Sequence, residues 1–83
     1  MARFKVSISA GAEADLLAIP FPMRRQLNQR ILKLADEPRP ADHETVGTAG
    51  DAAIVMHGYG LYYSVDDEAS LVTVIAIVPE GRG

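Results

Sequence analysis

The chain contains no cysteine and no tryptophan, and only two phenylalanines and three tyrosines among 83 residues. Without cysteine there is no disulfide framework, no thiolate metal site and no thiol nucleophile; the absence fits a reducing compartment. No apolar run approaches the ~20 residues that a membrane helix needs, and the opening MARFKVSIS lacks the apolar core of a signal peptide. The expectation is a cytoplasmic protein that engages no membrane. Positive charge is scarce too. Eight Lys and Arg stand against eleven Asp and Glu, a net charge of −3, which argues against strong non-specific binding to nucleic acid, because that needs clustered cations. There is no Gly-rich phosphate loop, nucleophile elbow or zinc motif. The triplet Asp42-His43-Glu44 has no partners at ligand spacing. No cofactor and no metal are expected.

Eighty-three residues, 48% apolar and 23% charged, predict a single globular domain over 1–83. Its centre is Tyr59 to Val78. Gly60 to Val65 is rich in aromatic and β-branched residues, Asp66 to Ser70 is an acidic turn, and Leu71 to Val78 is almost wholly apolar. This is a β-hairpin with a buried second strand. Ahead of it, Ala52 to His57 reads as another strand, and His57-Gly58 as a tight turn. At the N-terminus Phe4, Val6 and Ile8 alternate with Lys5 and Ser7, a half-buried strand. Ser9 then caps a helix over Gly11 to Ala18 with Leu16 and Leu17 facing the core. Ile19-Pro20-Phe21-Pro22 breaks it. Met23 to Asp36 forms the longest helix, with Met23, Leu27, Ile31 and Leu34 on one stripe. Pro38 and Pro40 stop that helix; Pro40 to Asp51 is loop with at most a short extended piece near Val46. The fold expected is therefore α+β, in the order β-α-α-β-β-β, a helical hairpin on one face of an antiparallel sheet.

These elements resemble the RelE/ParE toxin superfamily over nearly the whole chain. The residues that carry the resemblance are the strand ending in Ile8-Ser9, Ala12 to Leu16, Ile19-Pro20, Arg24, the segment from Leu34 through Glu37-Pro38-Arg39-Pro40, Gly47, the hairpin Tyr59 to Glu68 and the strand Val72 to Ile75. The Pro38-Arg39-Pro40 segment is more similar to the RelE branch. The resemblance implies a small cytoplasmic toxin held inactive by a cognate antitoxin. RelE-like members cut mRNA in the ribosomal A site; ParE-like members poison DNA gyrase. The chain departs from the RelE pattern where relatives carry basic residues. It has Ala53 and Val55 on the third strand, Gly60 after Tyr59, Ala76 on the last strand, and Val-Pro-Glu-Gly over Val78 to Gly81.

RNA cleavage by this route needs a base, an acid and a cation for the phosphorane charge. The candidates that remain are Tyr59, His57 and Arg82. Arg24, Arg25, Lys33 and Arg39 are candidates for tracking ribosomal RNA phosphates; on a helix such residues also form an ordinary solvated face. Strand alternation puts Ile54, Met56, Leu61, Tyr63, Val65, Thr73, Ile75 and Ile77 under the helices, and Ala53, Val55, Tyr62, Val72, Val74, Ala76 and Val78 on the other face. That second face is apolar, and a contiguous apolar face on a monomer calls for a cover. The expected partner interface is Val55, Tyr62, Val74, Ala76 and Val78, covered by a second copy in a homodimer or by an antitoxin segment. The sequence thus points to a toxin-like component with weak or lost mRNA cleavage. A non-catalytic dimeric or partner-binding module on the same scaffold, or a gyrase-directed toxin, is the alternative.

Overall fold

The chain is described by a computed structural model covering residues 3–47 and 51–80. Its elements run β1 (Lys5–Ile8), α1 (Ala10–Leu17), α2 (Phe21–Lys33), β2 (Glu44–Val46), β3 (Asp51–Met56), β4 (Tyr59–Asp66) and β5 (Leu71–Pro79). The strands form one five-stranded sheet in the order β1-β5-β4-β3-β2. Both helices contribute to a core on one side of that sheet, where Leu16, Leu27, Ile31 and Leu34 join Ile54, Leu61, Tyr63, Val72, Val74 and Ile77. The α+β architecture is as expected. Two features correct the sequence reading. The sheet is mixed, because β1 runs parallel to β5, and the extended piece around Val46 is a true edge strand, antiparallel to β3.

Local chemistry explains the ends of the elements. Ser9 Oγ accepts from the Ala12 N–H at 3.1 Å, which satisfies one of the orphan donors at the start of α1. Pro20 and Pro22 frame the start of α2, where a missing N–H costs nothing. The turn between β3 and β4 is two residues long; His57 (φ 53°) and Gly58 (φ 81°) both adopt the left-handed conformation that lets a tight hairpin follow the twist of its strands. The α2 stripe packs as expected, with Leu27, Ile31 and Leu34 buried and Met23 half-buried against them. Leu17 does not. It is 70% exposed, because α1 is only eight residues long and presents Ala12 and Leu16 to the sheet.

The largest departure is in β5. Tyr63 pairs with Val74, but Tyr62 pairs with Ala76, so Ile75 is an extra residue in the ladder, a β-bulge. Before the bulge the even residues Val72 and Val74 point to the helices; after it the odd residue Ile77 does. Thr73 and Ile75, expected under the helices, lie on the outer side, and Ile75 is 43% exposed. Val72 and Val74, expected on the outer face, are wholly buried. Val74 is therefore no part of a partner interface. On β3 and β4 the expected parity holds.

The bulge makes a sharp prediction. Val74→Glu places an unpaired charge in the core and is expected to cost about 4 kcal/mol or more. Ile75→Glu, one residue on, is expected to change stability by less than about 1 kcal/mol. Urea denaturation of the two variants checks this; regular alternation through β5 would give the reverse order.

Candidate functional site

The sheet face away from the helices is built from alternate residues of all five strands. Direct pairing places Glu44 and Val46 of β2, Asp51, Ala53 and Val55 of β3, Gly60, Tyr62 and Ser64 of β4, and Thr73, Ala76 and Val78 of β5 on this side. Ile75 and Ala76 both reach it because of the bulge. The result is a groove of about 340 Å³ whose lining includes Val46, Tyr62, Ile75, Ala76 and Val78, with Asp51 at one end. Val46, Ile75 and Val78 are 36%, 43% and 41% exposed, and Val55 beside the groove is 54% exposed.

Acids edge this apolar floor. Glu80, just past β5, donates its backbone N–H to the Gly58 carbonyl at 2.8 Å, which carries the β4–β5 pairing on to the hairpin turn. Its side chain then lies across Gly60, and the Tyr62 hydroxyl donates to Glu80 Oε2 at 3.2 Å. A Cβ on Gly60 would stand 2.6 Å from that same oxygen and 2.9 Å from the Tyr62 ring, so the absent side chain is what lets the two groups meet. The hydrogen bond to Glu80, reinforced by its charge, holds the Tyr62 phenol above its ordinary pKa. Tyr62 is thus a protonated donor at neutral pH, tethered to a carboxylate. Among the described strand residues Lys5 is the one cation, on the far edge strand. Glu44, Asp51 and Glu80 flank the groove.

The remaining candidate residues are dispersed. Tyr59 is on the helix side, half-buried and packed against the core, since it shares parity with Leu61 and Tyr63. His57 is exposed in the hairpin turn. Arg82 lies outside the described residues. Tyr59 and Tyr62 therefore face opposite sides of the sheet. Arg24, Arg25 and Lys33 are all on α2, in the helix layer, with the Arg24 guanidinium 5.6 Å from the centre of the Phe21 ring. Arg39 follows α2 and makes a two-pronged hydrogen bond to Asp67 at 3.1 and 2.8 Å, which ties the proline segment to the β4–β5 turn. Asp42 accepts from Arg30, and His43 Nδ1–H donates to the Pro40 carbonyl at 2.6 Å. Both are engaged in fixing the loop, and among the described residues no cluster of metal-ligating side chains forms.

Contacts that the sequence reading missed hold this face in place. Ser9 Oγ donates to the Ile75 carbonyl at 3.0 Å, and Asp15 Oδ2 accepts from the Ile77 N–H at 3.0 Å. Beyond β1 the free edge of β5 would otherwise leave these groups unpaired. Glu13 and Asp15 carry a signal in the sequence, two acids early in a capped helix, but it speaks only for the helix dipole.

A two-helix layer on a mixed five-stranded sheet, with an open outer face, is the architecture of a known class of small bacterial and archaeal proteins. The chain has the fold of the RelE/ParE toxin superfamily. It superposes on the isolated RelE toxin of E. coli with a TM-score of 0.84 at 23% identity, covering 96% of this chain and 87% of that one. It superposes equally well, at 0.84 and 22% identity, on a chain of the archaeal RelE-RelB complex from Pyrococcus horikoshii OT3, covering 96% and 98%. The YoeB/ParE toxin of Agrobacterium tumefaciens is similar at a TM-score of 0.76 and 15% identity, covering 92% and 98%. No protein-family model and no curated protein matches the chain.

The Arg39–Asp67 contact gives a pH prediction. The Arg39 hydrogen bond holds the Asp67 carboxyl below its ordinary value. A depressed carboxylate contributes stability that is present above its unfolded pKa and lost as pH falls through the folded one. Arg39→Gln is expected to return the Asp67 titration, followed by carboxyl ¹³C NMR, to the ordinary carboxylate range and to leave the folded state less sensitive to acid.

Proposed function

We propose that the chain is the toxin-like subunit of a bacterial toxin–antitoxin pair, a cytoplasmic protein whose RNA-cleaving chemistry is weak or lost and whose sheet face serves to bind a partner. The toxin-like assignment rests on fold: several of the similar structures are toxins solved together with their antitoxins, among them the RelBE complex of E. coli and the RelBE2 complex of Mycobacterium tuberculosis. A cognate antitoxin is accordingly the expected partner.

The loss of catalysis rests on one observation. The outer face carries an apolar groove with Asp51 in its lining and Glu44 and Glu80 beside it, and among the described strand residues Lys5 is the one cation. Cleavage of a phosphodiester builds negative charge on the phosphorane, and stabilising it takes cations placed before the reaction begins. Carboxylates at the same distance repel the phosphate. Tyr62 supplies a proton donor, but a donor tethered to Glu80 without a cation does not assemble the three roles. Tyr59, His57 and Arg82 remain the catalytic candidates if RNA is cut, with Arg24, Arg25, Lys33 and Arg39 as contacts to ribosomal RNA. A partner-binding module without catalysis uses the same scaffold and is favoured by the groove itself; a gyrase-directed toxin needs no nuclease residues.

Induction of the chain alone in a bacterial host, following growth and transcript ends, tests the reading. The expected result is intact mRNA. Cleavage at codons on ribosome-bound transcripts would overturn the loss of chemistry, and growth arrest with intact transcripts would move the chain to the gyrase-directed class. Val55→Arg adds a cation at an exposed outer-face position and is expected to fold normally; Arg at Gly60 must first displace Glu80 from Tyr62.

A further inference from the structure

We propose that the pocket between the end of α1 and the paired ends of β4 and β5 is a binding site for an alkylammonium group, the chemistry of a small primary amine or of a lysine side chain. Asp15, Ala18 and Ile19 form one wall, and Tyr59, Ile77 and Pro79 form the other. Tyr59 and Pro79 are partners in the ladder, so the sheet side of the pocket is held together by strand pairing. The site lies on the helix side of the sheet, across from the groove, and does not depend on the toxin–antitoxin reading.

Negative charge is placed at this pocket twice. α1 is eight residues long, Asp15 stands in its second half, and its last turn holds no basic residue. The carbonyl end of a helix carries partial negative charge and favours cations. A carboxylate there adds to that field instead of offsetting it. Asp15 Oδ2 accepts from the Ile77 N–H at 3.0 Å, which accounts for an acceptor at this position. It does not account for a charge, because an asparagine carbonyl accepts the same bond. The charge is half-buried beside the pocket, where its attraction for a cation is screened less than in open solvent.

The remaining lining suits the stem of such a ligand. Ile19 and Ile77 are 6% and 3% exposed and, with Pro79, offer apolar surface to methylenes. Tyr59 brings an aromatic ring, whose face attracts a cation. The pocket holds about 160 Å³, well below the ~300–1,000 Å³ of sites for drug-sized ligands, so its occupant is the size of one side chain. Geometry favours ammonium over guanidinium. A guanidinium grips a carboxylate with two parallel bonds, as Arg39 grips Asp67, whereas Oδ2 of Asp15 is already engaged by Ile77. An ammonium is a compact point charge that needs a single oxygen. An anion is repelled, and a neutral guest leaves the carboxylate unanswered.

NMR titration of the ¹⁵N-labelled full chain with butylamine hydrochloride near neutral pH tests the site, with butanol and sodium butyrate as controls of similar shape. The expected result is a saturable shift of the Ile19, Tyr59 and Ile77 amide signals with the amine. Butyrate is expected to leave them in place, and butanol to bind more weakly by about tenfold or more. Asp15→Asn keeps an acceptor for Ile77 and removes the charge; it is expected to lose about tenfold or more in affinity for the amine. Tyr59→Leu is expected to weaken binding and Tyr59→Phe to preserve it, with circular dichroism melts to establish that the variants fold. Raising sodium chloride is expected to lower the affinity. Putrescine compared with N-acetyl-lysine methylamide separates the two sources, a free amine or a protein lysine, by which binds tighter. The site is overturned if no saturable shift occurs, if sodium chloride at matched ionic strength reproduces the shifts, or if Asp15→Asn binds the amine as the parent does. Equal binding of butanol and butylamine by the unaltered chain overturns it without recourse to any variant.

Discussion

Ile75 is one residue more than the β4–β5 ladder has places for, and much of the molecule is arranged around that surplus. Before it, Val72 and Val74 fill the core; after it, Ile77 does. The bulge turns the Ile75 carbonyl and the Ile77 N–H toward α1, where Ser9 and Asp15 take them up. Ser9 thereby does two things, closing the first turn of α1 and holding the strand beside it. The same surplus places Ile75 and Ala76 side by side on the outer face. Core packing, the seating of α1 and the floor of the groove are three consequences of a single irregularity, as expected where a bulge re-aims side chains.

Charge is sorted between the two layers. The cations of α2 and the loop after it are on the helix side, and three of the arginines near it are matched to aspartates. Exposed pairs of this kind are worth about 0–1 kcal/mol each, so they set where the loops lie more than how stable the fold is. The firmer hold on the proline segment is the Tyr63 hydroxyl, which donates to the Pro38 carbonyl at 2.8 Å from a ring with no exposure; burial raises the pKa of that phenol. Among the described residues the outer sheet side carries Glu44, Asp51 and Glu80, with Lys5 as the one strand cation. A net charge of −3 is thus unevenly spread, and the sign of the outer face matters more than the sum.

What the sequence disclosed follows the range of each interaction. The Ser9 cap, the proline break, the α2 stripe and the His57-Gly58 turn depend on neighbours within four or five residues, and each was readable. Val55 and Tyr62 were readable as outward because β3 and β4 alternate cleanly. β5 was not, since Leu71 to Val78 is apolar in both phases and a continuous apolar run carries no parity signal. Its bulge is set by contacts with Ser9 and Asp15, more than sixty residues away. The parallel pairing of β1 with β5 joins the two ends of the chain and has no local mark either. Glu80 carried no signal in the sequence, because only the β4–β5 pairing, continued past Pro79 to Gly58, brings it to Tyr62 and Gly60.

The separation of inward and outward residues also explains how such a scaffold can change its chemistry while keeping its form. On β3 and β4 every inward residue that carries the core, Ile54, Leu61 and Tyr63 among them, has an outward neighbour on each side that the core does not touch. Exchanging the exposed ones among them, such as Val55, costs little stability, because exposed strand positions tolerate substitution; Ala53 and Gly60 are buried, and Gly60 has no room for a Cβ. Val55 in place of a cation leaves the packing beneath it unchanged. Function that depends on a few outward charges is therefore easily altered in sign, whereas the bulge, the α1 contacts and the helix-packed valines are fixed together by one ladder. On the outer face such exchanges alter the charge around the groove over Tyr62, Ile75 and Ala76 while Val72, Val74 and Ile77 keep the core packed beneath it.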